Sequence, residues 1–416
     1  RKIKNNFYIS SEIKPLLKLK KYNQDYETLF NYFNYSIYEN QKDTFFKEIK
    51  QFLPNHIYTL KKNRIISCKN YWNLQNKINS INKIDSISLA EEIFSSEFDR
   101  IKDYYIRSDK KIGLLYSSGL DSNFILNLLN KDKNNISLLL TFGFFAKNMI
   151  DETNFLKKNK IKNYIHRFKI KELLKKSKKV QLEQEMPWGG PNVFFQGYLM
   201  KKAKDLKHDV VLSADGADEI FGGYDKYLNL KKININYINQ AIDGTTPYES
   251  NLFKKNFENK KKIEFDFKSN NKLDFARYLD ITFSKLPRNF RFSDRYSMAH
   301  SVELRYPFLD HRLIELSFKL KKEMMINKNT NKIILRKFYN NNVKKKHINS
   351  PQTSWLYHPD FKKIMTEICN DSPIFDNVLD RKKTKKYLDF FYDKKRNNSF
   401  KMWQIYNYDL WLKAFF

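Results

Sequence analysis

Cysteine is nearly absent. Cys68 and Cys369 are the only two among 416 residues, far apart and without a partner at metal-ligand spacing, which argues against a disulfide framework or a zinc site. Two free thiols fit a reducing cytosol, so a cytoplasmic location is expected. Long apolar runs are missing too. None approaches the roughly 18 uninterrupted apolar residues that a membrane-spanning helix needs, so no membrane partner is expected. The opening RKIKNNFYIS has no apolar stretch behind its positive start, and hence no secretory signal, and it lacks an initiator methionine. The simplest reading is a fragment whose N-terminal part precedes Arg1. Acidic residues are outnumbered: 46 Asp and Glu face 78 Lys and Arg, for a net charge of +32. Alone, that balance suggests nucleic acid or an anionic surface. The charge is spread along the chain as KK and KN doublets, however, and Lys, Asn, Ile, Tyr and Phe dominate throughout. Solvated surface is the expectation, not a nucleic-acid site.

The chain is 41% hydrophobic, enough to bury a large core, and more than one domain is expected. Residues 1–75 read as short β segments with one or two helices, including a hairpin from Ile57–Leu60 and Arg64–Ser67 about a KKN turn. Asn82 to Ser108 has apolar residues at helical spacing. From Lys110 short apolar runs alternate with helices: strands at Lys111–Tyr116, Ile136–Phe142, Tyr164–Ile170 and Asp209–Ser213, helices at Ser122–Asn130 and from near Asp151. That alternation predicts an α/β fold, a doubly wound parallel sheet with right-handed crossovers. Beyond residue 228 the periodicity is mainly helical, and the polar stretch from Lys231 to Lys272 reads as an insertion or connection. No internal repeat is present.

Three motifs carry chemistry. The first strand runs into Ser117-Ser118-Gly119-Leu120-Asp121-Ser122 and then a helix. A small-residue turn there points N–H groups outward at the positive end of a helix, beyond the strand C-termini, where open α/β sheets bind anions. Asp121 would repel a bare phosphate unless it holds Mg2+. No GK[ST] follows, which excludes a Walker loop; the spacing is close to SGGxDS, found in enzymes that cleave ATP between its α- and β-phosphates. The second motif, Ser213-Ala214-Asp215-Gly216-Ala217-Asp218-Glu219-Ile220-Phe221-Gly222-Gly223-Tyr224, also ends a strand. Its three carboxylates repel one another unless a cation is near. The third, Asp294 to Arg312 (DRYSMAHSVELRYPFLDHR), packs charge into an apolar setting. Residue chemistry leaves it open between a structural ion-pair network and a substrate pocket.

In this order and spacing, SSGLDS, SADGADEIFGGY and DRYSMAHSVELRYPFLDHRL resemble the asparagine synthetase family. FYISSEIK from Phe7, LPNH from Leu53 and Tyr71-Trp72 are similar to the tail of that family's glutamine-hydrolysing domain, an N-terminal-nucleophile amidotransferase. The resemblance implies a β-rich glutaminase remnant at 1–75 and an ATP pyrophosphatase-type synthetase domain at 76–416. It implies ATP as substrate, Mg2+, a carboxylate acceptor such as aspartate, ammonia from glutamine in the complete protein, and a possible homodimer. Ser117, Ser118, Gly119, Asp121 and Ser122 would cradle the pyrophosphate, with Asp121 and Asp218 holding Mg2+. Leu115 and Phe144 would flank adenine, and Ser213 and Ala214 would touch the nucleotide through their backbone. Asp215 falls where many members have Glu, at a position tied to forming the acyl-adenylate. Tyr224, Glu303 and Arg305 would line the acceptor side.

Departures from the pattern fall at Ser118 and Ala214, both usually Gly. The usual RKKQGF stretch reads KKKHINSPQ from Lys344, which makes Lys345 the favoured pyrophosphate lysine. Lys332 and Arg336, in KIILRK, match a family helix in either a structural or a site role. The glutamine-hydrolysing cysteine is expected in the preceding portion. Alternatives are a relative that amidates a uronic acid of a surface polysaccharide or closes a β-lactam or peptide ring, and, more distantly, a tRNA-modifying enzyme with the same loop.

Overall fold

The computed structural model describes residues 1–38, 42–79, 82–117, 119–130, 136–143, 161–228, 252–254, 271–338, 355–394 and 399–416. Two short strands, β1 (Lys2–Ile3) and β2 (Asn6–Phe7), open the chain, and β3 (His56–Lys61) and β4 (Arg64–Asn70) form the expected hairpin. The sheet that positions the site comprises β5 (Ile112–Leu115), β6 (Ile136–Gly143), β7 (Lys162–Arg167), β8 (Val210–Leu212) and β9 (Glu303–Arg305). Its order is β7-β6-β5-β8-β9 and every pairing is parallel. Successive residues of a strand point to opposite faces. Leu138, Leu140 and Val211 accordingly enter one apolar cluster, while Leu139, Val210 and Leu212 enter a second. Helices Ile170–Gln184 and Asn192–Asp205 contribute to the first, and helices Ile87–Ile106, Leu120–Asn130 and Lys272–Thr282 to the second. Both faces are therefore covered, the condition under which a parallel sheet is stable.

Differences from the sequence reading have local causes. The long helix starts at Ile87 because the Ser86 hydroxyl accepts the Leu89 N–H at 3.2 Å and caps it. β7 stops at Arg167 because Ile170 begins the next helix, where Glu172 reaches back to the Lys169 N–H. β9 was not expected as a strand. The helix expected near Asp151 and the insertion at 231–251 and 255–270 lie outside the described residues.

β5 has neighbours on either side whose chain connections run in opposite directions, so the sheet's switch point lies between β5 and β8, where ligands bind in such folds. The N-terminal segment is not peripheral. Leu29, Tyr32, Phe45 and Phe46 are fully buried in the same cluster as Trp403 and Trp411 of the C-terminal helix Ser399–Phe415.

Candidate active site

The loop leaving β5 is tied by its own side chains. Ser117 N–H donates to Ser122 Oγ at 3.2 Å, Gly119 N–H to Ser117 Oγ at 3.3 Å, and Asn123 Nδ2 to Gly119 O at 3.0 Å. These bonds hold the turn over the first turn of the helix Leu120–Asn130, which carries Asp121. The loop leaving β8 is fixed at its start from β9: Ser213 N–H donates to Arg305 O at 2.8 Å, and Ser213 Oγ donates to Asp215 Oδ2 at 2.9 Å. Gly216, at φ +99°, makes the turn into the short helix Ala217–Phe221; a Cβ there would lie 2.3 Å from Leu309.

Asp121 and Asp218 meet on one ammonium. Lys332 Nζ lies 2.6 Å from Asp121 Oδ2 and 2.7 Å from Asp218 Oδ1. This is the cation that the clustered carboxylates require. Burial pushes the Asp121 carboxyl up while Lys332 pulls it down, with a net rise. Asp121 Oδ1 is buried without a hydrogen-bond partner among the described residues. Burial likewise raises Asp215. It pushes Glu219 up to about 8, reinforced by Asp218 and opposed by the hydrogen bond that Tyr224 OH donates to Glu219 Oε1 at 2.6 Å. Arg277, fully buried, braces the same helix by donating from Nε to Glu219 O and from Nη2 to Ile220 O.

Two cavities open on these loops. One of about 190 Å³ is lined by Leu115, Ser117, Asp121, Ser122, Ser213, Ala214, Asp215, Asp218 and Tyr224, nine of the residues the sequence singled out. The other, about 330 Å³, is walled by Lys285, Arg288, Tyr38, Phe292 and Tyr296. Gln196, Asp215 and Asn289 line both, so the cavities adjoin at Asp215. Gly119 sits in the first loop. Ser118, Phe144 and Lys345 lie outside the described residues.

The structure does not bring Glu303 and Arg305 to either cavity. Glu303 is exposed, and Arg305 donates from Nε to it at 2.7 Å and from Nη1 to Tyr105 O and Arg107 O at 2.9 Å each. Only the Arg305 backbone touches the site. The third motif is thus mainly a structural network: Asp310 caps the helix His311–Ser317 and receives Arg312 at 2.7 Å. Lys285, Arg288, Gln196 and Asn289 escaped the sequence reading because they sit on helices outside any motif. Lys332 was noted there with its role open.

Among the described residues no group of three or more His, Cys, Asp or Glu is placed to hold a metal. Two hard carboxylate oxygens alone are, however, the donor set by which Mg2+ is bound when substrate phosphates supply the remainder. The Asp121–Asp218 pair, brought together on one side of the loops, fits that arrangement.

An open parallel sheet with a small-residue turn and paired acids at its switch point defines an α/β protein whose ligand site lies beyond the strand ends. Residues 98–413 match the family described as Asparagine synthase, and the chain belongs to that family, one of carbon–nitrogen ligases. It is 30% identical over 243 residues to a Methanocaldococcus jannaschii protein named "Putative asparagine synthetase (glutamine-hydrolyzing) 2", covering 54% of this chain and 44% of the relative. It is 23% identical to Bacillus subtilis asparagine synthetase (glutamine-hydrolyzing) 1, over 98% of this chain and 72% of that protein. With B. subtilis asparagine synthetase 3 the identity is 25%, over 83% and 61%. The chain thus spans less than half the length of the archaeal relative.

Proposed function

We propose that the chain catalyses ATP-dependent amidation of a carboxylate through an acyl-adenylate, releasing AMP and pyrophosphate. The observation that carries this reading is the junction of the two cavities at Asp215. Nucleotide would fill the smaller cavity, its pyrophosphate on Ser117, Ser118, Gly119 and Ser122, its adenine between Leu115 and Phe144, and its phosphates near Ser213 and Ala214. The acceptor would fill the larger one, where Lys285 and Arg288 suit a carboxylate. Tyr224 holds Glu219 within the smaller cavity.

A carboxylate resists ammonia because oxide is a poor leaving group. Attack of its oxygen on the α-phosphorus of ATP turns that oxygen into part of AMP, which departs when ammonia attacks the acyl carbon. Asp121 and Asp218 would hold Mg2+, which neutralises phosphate charge when bound. Holding both reactants in line can supply about 7–11 kcal/mol of barrier reduction, and the paired cavities suit that task. Asp215 borders both cavities and would organise the attack. Lys345 is retained as a candidate for the leaving pyrophosphate.

Aspartate is the first acceptor to test, since the relatives' names specify asparagine synthesis. A larger acid such as a uronate is favoured by one observation. The 330 Å³ cavity falls within the range that buries drug-sized ligands, and Tyr38, Phe292, Tyr296 and Phe400 are among its walls. In the complete protein, glutamine would supply ammonia, with residues 1–75 as the tail of the glutaminase domain and 76–416 as the synthetase. A cytoplasmic location and a homodimer belong to the same proposal. The chain is incubated with ATP, Mg2+, ammonium and either aspartate or a hexuronate, and amides are sought by mass spectrometry. Amide formation with one of them is expected; ATP cleavage without any amide would contradict the reading.

A further inference from the structure

We propose that Lys332 and a divalent cation compete for the same two carboxylate oxygens, so that metal enters the site only with a phosphate that gives the lysine another partner. The proposal rests on the nucleotide reading above and assigns Lys332 as a positioning residue. Its ammonium touches Asp121 Oδ2 and Asp218 Oδ1 together. Mg2+ binds oxygen at about 2.0–2.1 Å, so a cation chelated by these two oxygens would lie between them, where the ammonium lies. Two cations cannot share that space.

The contact is built into the backbone. Lys332 is 7% exposed and adopts φ 52°, a left-handed conformation that costs a non-glycine residue energy and persists only where its surroundings impose it. The imposition is visible. Asn331 Nδ2 donates to Gly223 O at 2.5 Å, and Arg336 Nε donates to Asn331 O at 2.9 Å, which ties the start of the helix Ile333–Phe338 to the Gly222-Gly223 turn. At Gly223 a Cβ would lie 1.8 Å from Asp218 Oδ1 and 2.1 Å from Lys332 Cε. Any side chain there would prise the pair apart.

Displacing this internal cation by a metal alone exchanges one neutraliser for another and leaves a buried ammonium without its acids. A nucleotide changes the balance. Its phosphate oxygens accept the lysine while they complete the coordination of the metal. Lys332 thereby couples metal binding to nucleotide binding.

The test is binding of Mn2+ to the full chain, followed by the electron paramagnetic resonance signal of free Mn2+, with and without α,β-methylene-ATP. Wild type is expected to bind Mn2+ weakly alone. Lys332→Met should bind Mn2+ alone about tenfold tighter or more and lose much of the gain that the analogue brings. A variant that binds Mn2+ no tighter than wild type would overturn the proposal, and so would tight binding by nucleotide-free wild type. If Lys332→Met does not fold, Lys332→Gln is measured the same way. Failure of wild type to bind the analogue at all would sink the nucleotide reading, whereas the competition is decided by the nucleotide-free titrations.

Discussion

Glu219, the last of the three carboxylates in the second motif, is an acid held far from its ordinary range. It is 1% exposed, next to Asp218, and its Oε2 finds no hydrogen-bond partner among the described residues. Its pKa rises from an ordinary 4.5 to about 8. Between those values the folded protein binds the proton more readily than the unfolded chain, so this group's contribution is full below about pH 4.5 and is lost as pH rises through about 8. Melting temperatures followed across that window should therefore fall more steeply for wild type than for Glu219→Gln, in which nothing ionises. Parallel profiles would show that Glu219 is already charged in the folded protein. The residues that bind chemistry were legible at this scale because the two loops concentrate Ser, Gly and Asp where strands end. Lys332 was not assigned a partner, since nothing along the sequence says that it lies 2.6 Å from Asp121, 211 positions away.

Among elements, β5, β6 and β8 were legible as apolar runs because both faces of the sheet are covered, leaving no polar alternation to obscure them. β9 was not. It is three residues long, reads Glu-Leu-Arg, and becomes a strand only by pairing with Val210–Leu212, a non-local condition. The same element explains the misplacement of Arg305. A charged residue inside a family-like motif suggests substrate, yet its guanidinium secures the end of the helix Ile87–Ile106 through Tyr105 O and Arg107 O. Replacing it by Met should cost about 1.5–3 kcal/mol of stability, the range for hydrogen bonds made by a charged group. KM for ATP should stay near wild type. Unchanged melting with lost turnover would return Arg305 to the site.

At the scale of the molecule, the chain carries a net charge of +32, and many of the described lysines are exposed or pair with surface acids. No helix among the described residues is long and apolar enough to cross a membrane. The larger cavity draws Tyr38 from the N-terminal segment, Lys285 and Arg288 from the middle, and Phe400 from the last helix. Motifs could locate the loops but not this assembly, because three stretches distant in sequence meet only in the folded chain, which also packs Tyr32, Phe45, Trp403 and Trp411 into one core. What unites the two cavities is the claim that a carboxylate in one attacks the α-phosphorus of ATP in the other. The most direct measurement uses an acceptor, aspartate or the hexuronate that replaces it, labelled with 18O in its carboxylate, together with ATP, Mg2+ and ammonium. One labelled oxygen should appear in AMP, with unlabelled pyrophosphate beside it. ADP with the label in orthophosphate would mean attack at the γ-phosphorus and would contradict the claim.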